Sequence, residues 1–168
     1  MKVKILEVES GELIKATIKS GLSKKLPSIQ EGWRFNFNKH INKPNSKGFI
    51  IVKEETPEII EGCLIFQMKE GIIPYMSFIE VAPHNFGNKK DYDYVAGCLI
   101  AYACKLSYIH GKQHHNGALT FDVKEENEVD EKKFKAIYCA KYGATEIFGR
   151  MEIFGENSEN LIKKYLDT

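Results

Sequence analysis

The stretch Ile79-Glu80-Val81-Ala82-Pro83 ends an apolar segment and is followed, across a polar loop, by the apolar segment Val95–Cys104. This pattern predicts a buried strand, a loop and then a buried helix. In that order, the N–H groups that begin the helix lie beside a strand end, where a phosphate or pyrophosphate can bind without any charged side chain. The stretch therefore predicts a ligand-binding enzyme domain of the α/β or α+β class.

The residues before this stretch predict an antiparallel meander. Gly48–Lys53, Ile59–Met68 and Pro74–Ala82 are apolar segments with short connections, as expected for sequential antiparallel strands. At the N-terminus, Val3–Val8 alternates in polarity and predicts a further strand. Gly11–Lys19 fits either a short amphipathic helix or the second arm of a hairpin, and its pattern does not decide between them.

The residues after it predict alternating helices and strands. Apolar positions recur at helical spacing through Tyr94–Ile109, and Gly117–Val123 reads as the next strand. One helix joins strands 74–82 and 117–123, so these two should lie parallel. The remaining predictions are a helix capped by Asp130 and ended by Gly143, a strand over Thr145–Phe154, and a last helix capped by Asn157 or Ser158.

Composition limits the class of protein. The chain has 168 residues, 43% hydrophobic and 28% charged, which fits one globular domain over residues 1–168. Its longest apolar run is about half of what a bilayer span requires, and no secretion signal begins the chain, so we expect a cytoplasmic protein. Four scattered cysteines in apolar contexts predict buried thiols in a reducing compartment: Cys63, Cys98, Cys104 and Cys139.

Charge is distributed unevenly along the chain. Residues 1–53 contain eleven lysines and arginines against four glutamates, whereas residues 54–168 contain thirteen against nineteen acidic residues. The basic third either attracts an acidic ligand or is a solvated face. A pI near 7.6 and the absence of a basic and aromatic stripe argue against a nucleic-acid partner.

Two segments resemble motifs of the GNAT acyltransferase superfamily, which transfers acyl groups from coenzyme A. Ile79–Pro83 with the helix Val95–Ile100 resembles the family's strand, pyrophosphate loop and helix, and Ala136–Ala144 resembles its late helix. The resemblance covers about residues 48–154. It implies an α+β fold with a mixed sheet, in which antiparallel N-terminal strands precede a parallel strand pair joined by a crossover helix.

The chain departs from the family pattern in both segments. Ala96 falls on the last small residue of the pyrophosphate motif, but Tyr94 and Asp91 fall where the family has a glycine and an arginine or glutamine. The loop is about five residues longer, through Phe86–Lys90. Cys139 stands where the family most often has its general-acid tyrosine, and Tyr138 is one residue away.

The resemblance implies transfer of an acyl group, expected to be acetyl, from acetyl-CoA to a primary amine by direct attack. Glu80 is the candidate base, since it lies within an apolar strand where burial raises a carboxyl pKa. Tyr138 is the candidate acid, with Cys139 as the alternative. His84, after the strand, is a further candidate for a base or a substrate contact. His110, His114 and His115 lack an adjacent carboxylate, so no metal site is expected.

The same resemblance assigns the residues that would hold coenzyme A. The backbone near Val81 and Ala82 would hold the oxyanion and the pantetheine arm, as an added strand would. The residues expected to contact the pyrophosphate are Tyr94, Val95, Ala96 and Gly97, through N–H groups, and Asn85, Lys89 and Lys90, in place of the missing arginine or glutamine.

Two other functions stay open at this point. One is a GNAT-fold module that binds CoA or a protein partner without catalysis, and the other is a different phosphate-binding α/β protein. The expected acceptor is a small-molecule or peptide amine. Strand 145–154 or the final helix could pair two copies into a homodimer.

Overall fold

A computed structural model describes residues 1–166 as one nine-stranded mixed sheet with helices. The strands lie in the order β6-β1-β2-β3-β4-β5-β7-β9-β8. In chain order the elements are β1 (Lys2–Glu7), β2 (Leu13–Gly21), α1 (Phe37–His40), β3 (Ser46–Lys53), β4 (Ile60–Lys69), β5 (Ile73–Val81), β6 (Tyr92–Asp93), α2 (Val95–His110), β7 (Leu119–Phe121), α3 (Glu128–Tyr142), β8 (Thr145–Ile147), β9 (Arg150–Ile153) and α4 (Gly155–Leu166).

Strands β1 to β5 form the predicted antiparallel meander. The ambiguous segment after β1 is a hairpin arm: β2 pairs with β1 from Lys2 opposite Thr17 to Leu6 opposite Leu13. Tertiary burial decides this, because Ala16 is completely buried by the same core as the β1 side chains. The predicted parallel pair is also confirmed, as β5 and β7 run parallel and α2 connects them.

Helix α2 crosses one face of the sheet and forms the main core. Its buried residues pack against β1, β4 and β5, with α4 lying alongside. Two glycines permit α2 to lie close to β4 and to α4. A Cβ at Gly62 of β4 would lie 2.7 Å from Val95, and a Cβ at Gly97 would lie 2.5 Å from the ring of Tyr165 in α4.

The segment between β2 and β3 covers the opposite face. Trp33 and Phe37 are buried against Ile65 and Ala82 of the sheet, and Phe35 packs on Phe78 with ring centroids 5.2 Å apart. This second, smaller core places residues 33 to 35 above the C-terminal end of β5.

Several sequence predictions for the C-terminal third were wrong. Helix α3 begins at Glu128, and Asn127 caps it, with its side chain accepting a hydrogen bond from the N–H of Asp130. The predicted strand 145–154 is the hairpin β8–β9, because Phe148 and Gly149 both adopt positive φ and reverse the chain. Helix α4 begins at Gly155, so Asn157 and Ser158 lie inside it.

Three further differences concern single features. Strand β6 was not foreseen, and its two residues pair with β1 at the sheet edge. Cys139 is exposed, whereas Cys63, Cys98 and Cys104 are buried as predicted. The side chain of Cys139 lies on the outer face of α3, where a local apolar context does not imply burial. Within residues 1–166, no helix has the length and apolar character needed to cross a bilayer.

Candidate functional site

A seam opens between β5 and β7. Their parallel pairing is limited to Tyr75 opposite Thr120. One residue further along β5, the pairing with β4 shifts: Phe66 lies opposite Met76 but Ile65 lies opposite Phe78, which leaves Ser77 as the extra residue of a β-bulge. A bulge bends its strand and increases the local twist. Strand β5 therefore separates from β7 beyond this point.

The backbone of β5 presents free N–H groups to this seam. The N–H of Ala82 donates to the carbonyl of Glu61 in β4. Backbone N–H and C=O groups of successive strand residues point to opposite edges of the strand, so those of the neighbouring residue point away from β4. Ile79 and Val81 thus direct their N–H and C=O groups into the seam, and in the described part of the chain no strand pairs with them there. This edge can accept an extended ligand as an additional strand.

Glu80 lies on the face of β5 that is covered by the segment between β2 and β3. It shares that face with Phe78 and Ala82, whereas Ile79 and Val81 face α2, as strict alternation requires. Its carboxylate accepts hydrogen bonds from the backbone N–H of Arg34, at 2.8 and 3.1 Å. Burial raises the pKa of Glu80 above its ordinary value, and the N–H groups of Arg34 and Phe35 only partly oppose this.

Arg34 also spans the seam. Its guanidinium donates to Glu125, with Nη2 2.8 Å from Oε2, on the segment that follows β7. The Glu125 side chain is 15% exposed and that of Arg34 is 51% exposed. A single residue therefore contacts both sides of the seam, through its main chain to Glu80 and through its side chain to Glu125.

Tyr138 approaches the same place from α3. Its ring packs on Phe121 of β7 with centroids 4.8 Å apart. Burial raises the pKa of Tyr138 to about 12, with the Glu125 carboxylate adding to the rise and Arg34 opposing it. Those two contributions place the Tyr138 hydroxyl within electrostatic range of the Arg34–Glu125 pair. Arg34 thus contacts the candidate base through its main chain and contributes to the electrostatics of the candidate acid.

The closed end of the seam holds a short hydrogen bond. The hydroxyl of Tyr75 donates to Asp122 at 2.5 Å, and the Lys69 ammonium lies 3.3 Å from the centre of the Tyr75 ring. Burial, followed by this hydrogen bond, raises the pKa of Tyr75. The seam therefore begins at a polar contact between the strands and opens toward Glu80.

Sequence reasoning missed Arg34, Glu125, Asp122 and Tyr75. Arg34 is one of only two arginines in the sequence and stands within the aromatic run Trp33–Phe37. A rare arginine within an aromatic run was the sequence feature that could have identified Arg34 as a site residue. Tyr75 lies in β5 itself, and its contact with Asp122, like the position of Glu125, depends on the long-range pairing of β5 with β7.

The start of α2 lies close to the end of β5, as predicted. Val95 packs over Gly62, the residue paired with Val81. However, the carboxylate of Asp93 lies just before this helix start: its Oδ1 accepts from the N–H of Tyr94, the residue that precedes the first turn, at 2.8 Å. Gly97 lies beneath Tyr165, which leaves Ala96 as the half-exposed residue of the first turn.

Two lysines surround Asp93. Lys90 donates to its Oδ2 at 2.8 Å, and the ammonium of Lys141 lies 3.8 Å from its Oδ1. Burial alone would raise the pKa of Asp93, but the hydrogen bonds from Lys90 and from the N–H of Tyr94 outweigh it and lower that pKa. Asp93 thus neutralises part of the positive potential available to a phosphate.

Asn85 and Lys89, both expected to contact the pyrophosphate, differ in whether their side chains are accessible to a ligand. Asn85 is buried: its amide nitrogen donates to the backbone and side chain of Glu61, and its oxygen accepts from the N–H of Tyr92. It fixes the loop between β5 and β6, so its assignment as a phosphate partner is corrected. Lys89 is exposed on the same loop. Among residues 1–166, no group of three or more His, Cys, Asp or Glu side chains is arranged to hold a metal ion.

Comparison by sequence finds no matching protein-family model and no matching curated protein. Comparison by structure finds several solved chains. The KacTA–DNA complex aligns at a TM-score of 0.59 and 11% identity, covering 89% of this chain and 99% of that one. The AtaT toxin bound to the C-terminus of the antitoxin AtaR aligns at 0.57 and 12%, covering 87% and 97%.

A third structure is the spermidine/spermine N-acetyltransferase SpeG from Vibrio cholerae, with a TM-score of 0.55 and 16% identity over 86% of this chain and 96% of that one. AtaT has also been solved with acetyl-CoA, and that structure aligns at 0.53. At these identities the likeness shows the fold. The chain has the GNAT acetyltransferase fold, which confirms the resemblance drawn from its two motifs.

Proposed function

We propose that this protein is an acyl-CoA-dependent N-acyltransferase that transfers an acetyl group from acetyl-CoA to a primary amine. The observation that carries the proposal is the seam at Ile79–Val81, whose backbone N–H groups pair with no described strand and beside which Glu80 is held by the N–H of Arg34. The GNAT fold supports it, since the pantetheine arm of that family binds along the equivalent strand.

The residues divide the reaction as follows. Glu80, with its raised pKa, takes the proton from the acceptor ammonium, so that the neutral nitrogen can attack the thioester carbonyl. The N–H of Val81 donates to the oxygen on which negative charge develops. The C–N bond forms, the C–S bond then breaks, the electron pair leaves with the CoA sulfur as a thiolate, and the new amide nitrogen releases its extra proton to water.

Tyr138 is suited to stabilise that sulfur. A hydroxyl with a pKa of about 12 keeps its proton at neutral pH. Because a thiol has a pKa of about 8.5, complete proton transfer from Tyr138 to the thiolate is unfavourable. Tyr138 therefore acts as a hydrogen-bond donor to the leaving sulfur, and water supplies the proton when the product is released.

A second function, binding CoA or a protein partner without catalysis, is favoured by Asp93. Its carboxylate places a negative charge immediately before the helix start, beside the N–H groups that a pyrophosphate would contact. The three ammonium and N–H groups that bind Asp93 would have to be shared with the phosphates. Weak CoA binding, or none, is the natural consequence of this arrangement.

A two-step experiment separates these functions. Thermal shift with acetyl-CoA, CoA and ATP tests whether the chain recognises the thioester cofactor. Mass spectrometry then measures acetylated product and free CoA for a panel of polyamines, aminoglycosides and peptide amines. A thiol reagent is avoided because Cys139 is exposed and would react. Binding with turnover supports acyl transfer, binding without turnover supports the second function, and neither result would exclude both.

A further inference from the structure

A pocket of about 380 Å³ opens beside the seam, on the face of the sheet covered by the segment between β2 and β3. Its apolar walls are Trp33, which is 7% exposed, Ile60 at the start of β4, Ala82 just after β5, and Pro27 and Pro83. Glu80 and Tyr138 do not line it. The volume lies within the range of small-molecule sites, and the pocket is an open concavity that adjoins the proposed reaction site at Ala82 and His84.

The polar lining of this pocket is acidic. Glu58 contributes an exposed carboxylate, and Glu31 contributes a second, whose Oε2 also accepts from the N–H and hydroxyl of Ser28; none of the described residues that line the pocket is a lysine or an arginine. This contrasts with the strongly basic composition of the first 53 residues, to which Trp33 and Glu31 belong. Two carboxylates beside a low-dielectric wall favour a cation over an anion or a neutral molecule.

A buried carboxylate fixes one wall of the pocket. Nε2 of His84 lies 2.6 Å from Oε2 of Glu61, a residue with only 1% of its side chain exposed. The same oxygen accepts from Asn85 at 2.8 Å. The imidazole is therefore directed toward Glu61, and the wall is held in place before any ligand enters.

We propose that this pocket binds a small organic cation, an ammonium or quaternary ammonium group carried on an apolar body. The charge lies between the indole of Trp33 and the carboxylates of Glu31 and Glu58, and the body contacts Ile60 and Ala82. Attraction between a cation and an indole ring adds to the charge pairing, and it is strongest for tryptophan. Binding at this pocket does not require acyl transfer.

Trp33 is the only tryptophan in the sequence, so its fluorescence reports directly on the pocket. Choline is titrated against its uncharged tert-butyl isostere, which has the same shape, and against acetate as an anion. The expected result is saturable quenching by choline alone. Calorimetric titration provides a second measurement that does not depend on the optical signal.

Glu58→Gln removes one carboxylate of the lining, and Glu55→Gln is the matched control, since Glu55 is exposed on the same loop but does not line the pocket. Glu58→Gln is expected to weaken choline binding by about threefold to tenfold, and Glu55→Gln by less than about twofold. Equal quenching by the isostere, equal weakening by both variants, or no response to about 10 mM choline would overturn the proposal.

This titration needs neither acetyl-CoA nor turnover. Its failure would leave the proposed acyl transfer untouched, and a catalytically silent protein could still bind choline. The two proposals therefore fail separately.

Discussion

The backbone N–H of Arg34 donates to both carboxylate oxygens of Glu80, at 2.8 and 3.1 Å, although the two residues are 46 positions apart. This contact joins the segment between β2 and β3 to the opened part of β5. The Arg34 side chain continues across the seam to Glu125. The geometry of the candidate site thus depends on one residue that bridges three parts of the chain.

Replacing Glu80 with glutamine is expected to reduce kcat by about 100-fold or more, since the proposed general base is lost while its shape is kept. In the wild type, kcat/KM should rise with pH through the pKa of Glu80, which burial raises above the usual carboxyl range. Initial rates of product formation measured across pH test both statements. An unchanged rate in Glu80→Gln would remove Glu80 from the mechanism.

The same variant has an expected effect on stability. A raised pKa in the folded state means that the ionised Glu80 is disfavoured by folding, so its stabilising contribution is present below the unfolded pKa and is lost as pH rises through the folded one. Glutamine resembles the neutral acid. Urea denaturation should therefore show the variant gaining stability relative to the wild type between acidic and neutral pH.

Tyr138→Phe should lower kcat by about tenfold to 100-fold while leaving the fold intact, because the ring contact with Phe121 is kept. Cys139→Ser tests the alternative acid at the adjacent position, and we expect little change, since Cys139 is exposed. Steady-state kinetics on both variants decides the assignment. A larger loss in Cys139→Ser would transfer the role to that residue.

Glu125→Gln should weaken the bridge that Arg34 makes across the seam and raise KM for the acceptor severalfold. The loss of folding free energy should stay below about 1 kcal/mol, because Arg34 is half exposed. Glu126→Gln is the matched control, with an exposed side chain at the next position. Identical kinetics for the two variants would mean that the ion pair has no part in the reaction.

Asp93→Asn should strengthen CoA binding by about twofold to fivefold, since a carboxylate at a helix start competes with phosphate for the same positive potential. Asp91→Asn, an exposed position on the same loop, serves as the control. Calorimetric titration at low ionic strength measures both. Weaker CoA binding to Asp93→Asn would show that Asp93 organises the loop for the ligand instead of opposing it.

Gly97→Ala should destabilise the protein by roughly 1–3 kcal/mol, because the new Cβ would lie 2.5 Å from the Tyr165 ring. Alanine is otherwise the better helix former. In a Tyr165→Leu background, the same change should therefore become nearly neutral or stabilising. A double-mutant cycle by chemical denaturation checks this, and an undiminished cost in that background would point to another cause.

The antiparallel meander, the parallel strand pair and its crossover helix follow from local patterns that the sequence carries on its own. Glu80 could be selected because strand alternation places it beside Phe78 and Ala82 whatever the fold. The wrong predictions have two separate physical causes. Phe148 adopts a backbone conformation that its residue type does not favour, and Asn127 was overlooked as a cap because Asp130 offered the same chemistry three residues later.

By itself, the sequence determined most of the meander, the parallel strand pair with its crossover helix, and the identity of the residues available for chemistry, since these depend on periodicity and residue type within short segments. Only the tertiary structure decided that the bulge at Ser77 opens a seam, that Arg34 joins Glu80 to Glu125, and that Asp93 lies with Lys90 and Lys141 just before the helix start. Those relationships are set by sheet register and by contacts between residues far apart in the chain, which no local pattern encodes.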